Sequence, residues 1–251
     1  MITKVYIQHE DGELIPTRQH ICGVLEARGV AYQLFSAAAF HQEGLELNKH
    51  TAVACNLGIL KAVLKQIGFE DNPPCYPTSL NPYLKREIWE RTIGELLAQS
   101  EREAVPNIFI KPQTDIKLFK GFVLQDEDDL ELIDDLPPET KLYCSEVVDW
   151  YSEYRVYVHD SKIIGVKNYK GDPSVEPNLQ EIEAAVAVFE QSADCTAGYG
   201  IDFGVLLNGA TALVEWNDGM ALGNYGLAPE AYTDLFLTRW EQVLQHATRL
   251  G

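Results

Sequence analysis

Asp202, Glu215 and Asn217 sit in YGIDFGVLLNGATALVEWNDG (199–219), a stretch that otherwise reads as two half-buried strands. Asn208-Gly209 between them is a strong hairpin turn signal. The period of two puts Glu215 and Asn217 on one face, and the turn lets Asp202 sit opposite them. Two carboxylates and an amide oxygen make a hard-oxygen set suited to Mg²⁺. The alternative is a solvated strand face. Lys111 lies within the apolar strand NIFIKP. A lysine buried there needs an anionic partner; one at a strand end snorkels to water. Lys117 and Lys120 follow in DIKLFKGF, where two lysines near a turn either straddle a phosphate chain or lie on the surface.

The stretch YCSEVVDWYSEYRVYV adds more polar groups to apolar strands. Backbone groups around Glu146, Val147 and Val148 can pair with the edge of a purine, which offers both donors and acceptors. Glu153 can accept from ribose hydroxyls. Arg155 shares its face and can reach phosphate or a developing oxyanion. The competing reading is an exposed ion pair, which is frequent and weak. Lys167 and Lys170 flank Tyr169 and face a nucleotide, a second substrate or solvent. Gly223 and Gly226 in MALGNYG form a loop bordering a second substrate, or a plain turn. The six histidines show no ligand spacing.

The elements that must position these groups divide the chain. Strands over 3–8, 31–35 and 51–55 alternate with helices over 18–28 and 56–67, the pattern of a parallel α/β lobe covering 1–75. DNPPCYPTSLNPY reads as a linker. Apolar spacing predicts one long helix over 83–99. A β-rich pattern follows, with a small central lobe over about 105–150. The remainder, about 151–251, carries strands, a helix over 179–192 started by Asn178, the hairpin, and a closing helix over 230–249.

The chain has 251 residues and a formal net charge of −18. That balance argues against nucleic acid or an anionic membrane as the main partner. No apolar run is long enough to span a bilayer, and MITKVYIQHEDGEL lacks a signal core, so a cytoplasmic location is expected. The five cysteines are odd in number and contain no CxxC, which speaks against a disulfide framework or zinc site.

The order of these features resembles the ATP-grasp fold. Lys111 precedes Glu146, with Glu153 seven positions on; Asp202 precedes Glu215 by thirteen, and Asn217 follows by two. A narrower resemblance is to the ATP-grasp clade named for one arginine and two lysines. It rests on YPTSLNPYLKREIW with Arg86, FIKP with Lys111, KLFKGF with Lys117, then SEYRVYV, YKGD and VEWNDGMALGNYG. It covers most of 76–226, making 76–251 the ATP-grasp domain. The fold implied is α/β (α+β): an N-terminal α/β lobe, a central β-rich lobe and a C-terminal lobe. The activity implied is an ATP-dependent carboxylate–amine ligase working through an acyl phosphate and releasing ADP and phosphate. An ATP-grasp kinase and a non-catalytic nucleotide-binding protein are the alternatives. The resemblance assigns Lys111, Lys117 and Arg86 to phosphates, with Lys167 near the nucleotide. It gives Glu146–Val148 to adenine, Glu153 to ribose and Arg155 to the transferring group. Asp202, Glu215 and Asn217 would ligate one or two Mg²⁺, with Mn²⁺ an acceptable substitute. Other ATP-grasp ligases carry a lysine where Arg86 would have to act, and Lys85 and Arg91 compete for that role. Small-molecule or peptide carboxylates and amines are the expected partners, compatible with a homodimer.

Overall fold

The structure is a computed structural model describing residues 1–70, 74–113 and 118–250. In the N-terminal part, β1 (Lys4–His9) is flanked by two parallel strands, β2 (Ala31–Ser36) on one side and β3 (Thr51–Ala54) on the other. Helix α1 (Pro16–Ala27) connects the first pair, and the short α2 (Ala37–Glu43) leads from β2 toward β3. Helix α3 (Leu57–Ile67) begins where Asn56 accepts from the Ile59 amide and ends at Gly68. Gly68 is left-handed at φ 72°, a conformation that costs glycine nothing.

The expected long helix over 83–99 is absent. Thr78–Tyr83 forms a 3₁₀ turn, Lys85 takes φ 52°, and β4 (Ile88–Thr92) is a strand. Helix α4 (Ile93–Ser100) starts only after Thr92. The Thr92 hydroxyl accepts from the Glu95 amide, and the Glu95 carboxylate accepts from the Thr92 amide. That reciprocal cap marks a helix start inside the helical-looking run. Removing it in Thr92→Ala should cost about 1 kcal/mol of stability, read as a lower urea midpoint.

Strand β4 belongs to a four-stranded antiparallel sheet ordered β4-β7-β5-β6, made with β5 (Ile108–Pro112), β6 (Phe122–Leu124) and β7 (Lys141–Ser145). The one-turn helix α5 (Glu127–Leu130) follows β6. A central lobe drawn over 105–150 therefore omits an edge strand and the helix α4, whose Ile93 and Leu96 pack into that lobe's core.

The second four-stranded sheet runs β11-β10-β8-β9, from β8 (Trp150–His159), β9 (Lys162–Gly171), β10 (Gly198–Leu206) and β11 (Thr211–Asp218). Helix α6 (Leu179–Phe189) covers one face through Ile182 and Phe189. Helix α7 (Pro229–His246) packs on the N-terminal sheet, and its Leu235, Phe236 and Trp240 share one core with Val5, Ile7 and Ile21. No helix among the described residues is long and apolar enough to cross a membrane.

Candidate functional site

Side chains alternate along a strand, so one face of the β8–β11 sheet collects every second residue. Glu215 stands opposite Asp202, Asp202 opposite Arg155, and Arg155 opposite Lys167, one charged row across all four strands. Two residues along each strand, Asn217, Gly200, Tyr157 and Gly165 form the next row. On the other side of the charged row, Gly204 faces Glu153, and Glu153 faces Lys170. The glycines that bracket Asp202 make room for its neighbours. A Cβ at 200 would lie 3.2 Å from the Arg155 Cδ, and one at 204 would strike the Trp150 ring.

Arg155 donates to Asp202 through Nε (2.8 Å) and Nη2 (2.7 Å), a two-pronged pair with Arg155 7% and Asp202 1% exposed. Asn217 Nδ2 donates to the same carboxylate at 3.3 Å. Burial pushes the Asp202 carboxyl up to about 6, against the opposing pull of Arg155. Tyr169 and Tyr225 stack with centroids 5.1 Å apart, and the Arg155 guanidinium lies 5.2 Å from the Tyr225 ring centre. Glu153 accepts from the Tyr169 hydroxyl (2.8 Å) and from Lys170 Nζ.

Lys111 comes from the other sheet. Its ammonium donates to Glu215 Oε2 at 2.6 Å and lies 4.4 Å from the centre of the Tyr76 ring. Burial alone would lower the Lys111 pKa, but the Glu215 carboxylate outweighs it and holds the pKa above its usual value. Burial would likewise raise Glu215, and Lys111 reverses that shift to a net lowering. The pair therefore keeps both groups charged.

The two sheets enclose a cleft of about 580 Å³. Arg86, Lys111, Lys120, Glu146, Val147, Val148, Glu153 and Glu215 all line it. Asp202, Asn217, Arg155 and Lys167 do not line it; Arg155 stands against the Tyr225 ring, and Asp202 is paired across from Glu215. Lys117 lies outside the described residues. Of the competing cations, Lys85 pairs with Glu181 at 3.3 Å and Arg91 is exposed on β4, which leaves Arg86 at the cleft. Much of the Arg86 guanidinium is already engaged. Nη1 donates to the Leu84 and Leu213 carbonyls (3.1 and 2.6 Å) and Nη2 to that of Val214 (3.0 Å). Its plane lies 5.5 Å from the Trp150 ring centre. Arg86 thus fastens the turn after Thr78–Tyr83 to β11, with its charge still facing the cleft.

Glu146 to Asp149 join β7 of one sheet to β8 of the other. The Glu146 amide donates to the Glu87 carbonyl at 3.2 Å, and its carboxylate accepts from the Glu87 amide at 2.9 Å. Val147 and Val148 line the cleft, and their backbones make no hydrogen bond among the described residues. The cleft therefore combines unpaired backbone groups and apolar side chains with cations and carboxylates, a mixture that suits a planar, partly apolar group joined to an anionic chain. Tyr76, Trp150 and Tyr225 complete the walls; none was singled out from the sequence, where an aromatic beside a strand reads as core.

A family model of the ATP-grasp domain, the second family of the clade named for one arginine and two lysines, matches residues 83–235. No curated protein sequence gives a match. Among solved structures, an ATP-grasp RimK domain protein from Sphaerobacter thermophilus DSM 20745 is 14% identical with a TM-score of 0.54, covering 93% of this chain and 99% of that one. D-alanine–D-alanine ligase from Bacillus anthracis, complexed with ATP, is 13% identical with a TM-score of 0.57, covering 97% of each chain. N5-carboxyaminoimidazole synthase from Aspergillus clavatus is 16% identical with a TM-score of 0.53, covering 96% of this chain and 77% of that one. At these identities the likeness is one of fold.

Proposed function

The chain belongs to the ATP-grasp domain family, within the clade named for one arginine and two lysines, and from that premise we infer that it is an ATP-dependent ligase joining a carboxylate to an amine. The observation that carries the reading is the Lys111–Glu215 bridge, which spans the cleft from one sheet to the other at 2.6 Å. A cation suited to phosphate and a carboxylate suited to a metal ion neutralise each other there. MgATP offers each of them a partner of opposite sign. ATP then lies with adenine against the Val147–Val148 backbone, ribose at Glu153, and phosphates at Lys111 and Arg86, with Lys117 a further candidate.

The oxygen donors fit a hard cation such as Mg²⁺ or Mn²⁺. Glu215 lines the cleft, and Asn217 and Asp202 stand beside it on the same face. Asp202 would share its oxygens with Arg155, so Arg155 acts as a positioning residue behind the site. When bound, the metal supplies charge neutralisation on the phosphate oxygens.

In the reaction proposed, a substrate carboxylate oxygen attacks the γ-phosphorus, the bond to ADP breaks, and an acyl phosphate forms. An amine nitrogen then attacks the acyl carbon. The C–N bond forms, the C–O bond to phosphate breaks, and the amine gives up a proton. The chain's contribution is positioning and charge, from the cations and carboxylates that line the cleft.

The test is a panel of carboxylates and amines incubated with the protein and MgATP. ADP, phosphate and amide formed in equal amounts support a ligase. ADP with a stably phosphorylated product, in place of free phosphate, would make it a kinase. Glu215→Gln should fold normally, because the change is nearly isosteric, yet lower turnover roughly a hundredfold or more, since the amide is a weaker metal ligand. A Glu215→Gln variant with parental turnover removes Glu215 from the metal site.

A further inference from the structure

A second cleft, of about 370 Å³, opens where the parallel sheet meets α7. It lies beyond the carboxyl ends of β1 and β3. Strand β1 has β2 on one side and β3 on the other, so the winding direction reverses at this point. Open parallel sheets bind ligands at such reversals. Arg18, in the first turn of α1, lines this cleft and is only 5% exposed. Its Nη1 donates to the Gln8 carbonyl at 3.0 Å and meets Glu10 at 3.4 Å. Nε and Nη2, the edge suited to two-pronged carboxylate binding, have no partner among the described residues. No side chain caps α1, so its first amides add positive potential at the same mouth. Ile21, Leu222 and Phe236 supply apolar wall.

The two clefts share one loop. Leu222 and Gly223 line the second, and Tyr225 lines the first. Two buried tyrosines hold the loop from behind. The Tyr232 hydroxyl donates to the Leu222 carbonyl at 2.6 Å, and that of Tyr157 to the Asn224 carbonyl at 2.7 Å. Arg18 does not touch the first cleft, so whatever it grips is not the reacting carboxylate. In an amide-forming reaction the other reactant brings an amine.

We propose that the second cleft binds the amine substrate as an apolar amino acid, with Arg18 holding its non-reacting carboxylate and the apolar wall taking its side chain. The proposal rests on the ligase reading. The amine is left to meet the activated carboxylate across the shared loop.

Calorimetric titrations of the intact protein with leucine, methionine and phenylalanine, each paired with its carboxamide, test this directly. At least one acid should bind and its carboxamide should bind far more weakly. Arg18→Lys keeps the charge but loses the fork, and should weaken acid binding roughly ten- to a hundredfold. Thr17 is half-buried, lines the same cleft and makes no side-chain hydrogen bond among the described residues, so Thr17→Trp should block binding without removing a contact. It also serves if Arg18→Lys folds poorly. Both variants should bind MgATP as the parent does. Acids that do not bind, acids and carboxamides that bind alike, or variants that bind the acids as tightly as the parent overturn the proposal. Failure of the parent to bind MgATP is a separate result and strikes the ligase reading itself.

Discussion

Lys111→Ala is expected to abolish measurable turnover and to weaken MgATP binding. The Lys111 side chain is 12% exposed, its ammonium is held charged by Glu215, and it lines the cleft from the opposite sheet. Its loss removes a desolvated cation from the phosphates and leaves Glu215 without its 2.6 Å partner. Removing one preorganised donor from a transition state typically lowers kcat by about 10²–10³. Lys120 also lines the cleft but is exposed, so Lys120→Ala should cost much less. Nucleotide titration and ADP release, measured on both variants at matched folded fraction, decide the matter. Greater sensitivity at Lys120 would mean that the phosphates lie toward the cleft mouth.

Arg155→Ala should destabilise the whole protein by about 3–5 kcal/mol, because it leaves the Asp202 carboxylate buried without its partner. That is a large share of the roughly 5–15 kcal/mol that holds a typical domain. Replacing both partners by apolar residues, as in Arg155→Met with Asp202→Leu, should recover much of the loss, since a buried pair exchanged for packed hydrophobics is often neutral. Urea unfolding of the single and double variants separates the two effects. A single variant within about 1 kcal/mol of the parent would mean that water reaches Asp202 and screens it, as at an exposed pair.

What the sequence revealed was whatever is local. Asn56 and Gly68 bracket α3 within a short span, and Asn208-Gly209 marks the hairpin; it is a β-bulge between Asp202 and Phe203, with no signal in the sequence, that shifts the register by one and sets Asp202 across from Glu215. The helix over 83–99 failed because Ile88 and Trp89 suit either period. What makes them a strand is pairing with Cys144 and Ser145, far along the chain. The helix start inside that run is set by the reciprocal Thr92–Glu95 cap. At the site, residue types were legible and their partners were not. Lys111 and Glu215 are 104 positions apart and meet only because two sheets face each other. Arg155 reads as a group free to reach a ligand, and the fold commits it to Asp202 because β8 and β10 are neighbours. Arg86 reads as a free cation, and its turn aims it at two carbonyls of β11. Aromatic walls carry no polar signal, so Tyr76, Trp150 and Tyr225 emerge only from the geometry.

The most direct measurement of the central claim is a calorimetric titration of the intact protein with ATP in the presence of Mg²⁺, paired with thermal unfolding. The cleft between the sheets should take up one MgATP per chain. At about a hundred times Kd the ligand should add about 2.7 kcal/mol of stability and raise the unfolding midpoint. Neither heat of binding nor a shift at millimolar MgATP would contradict the account.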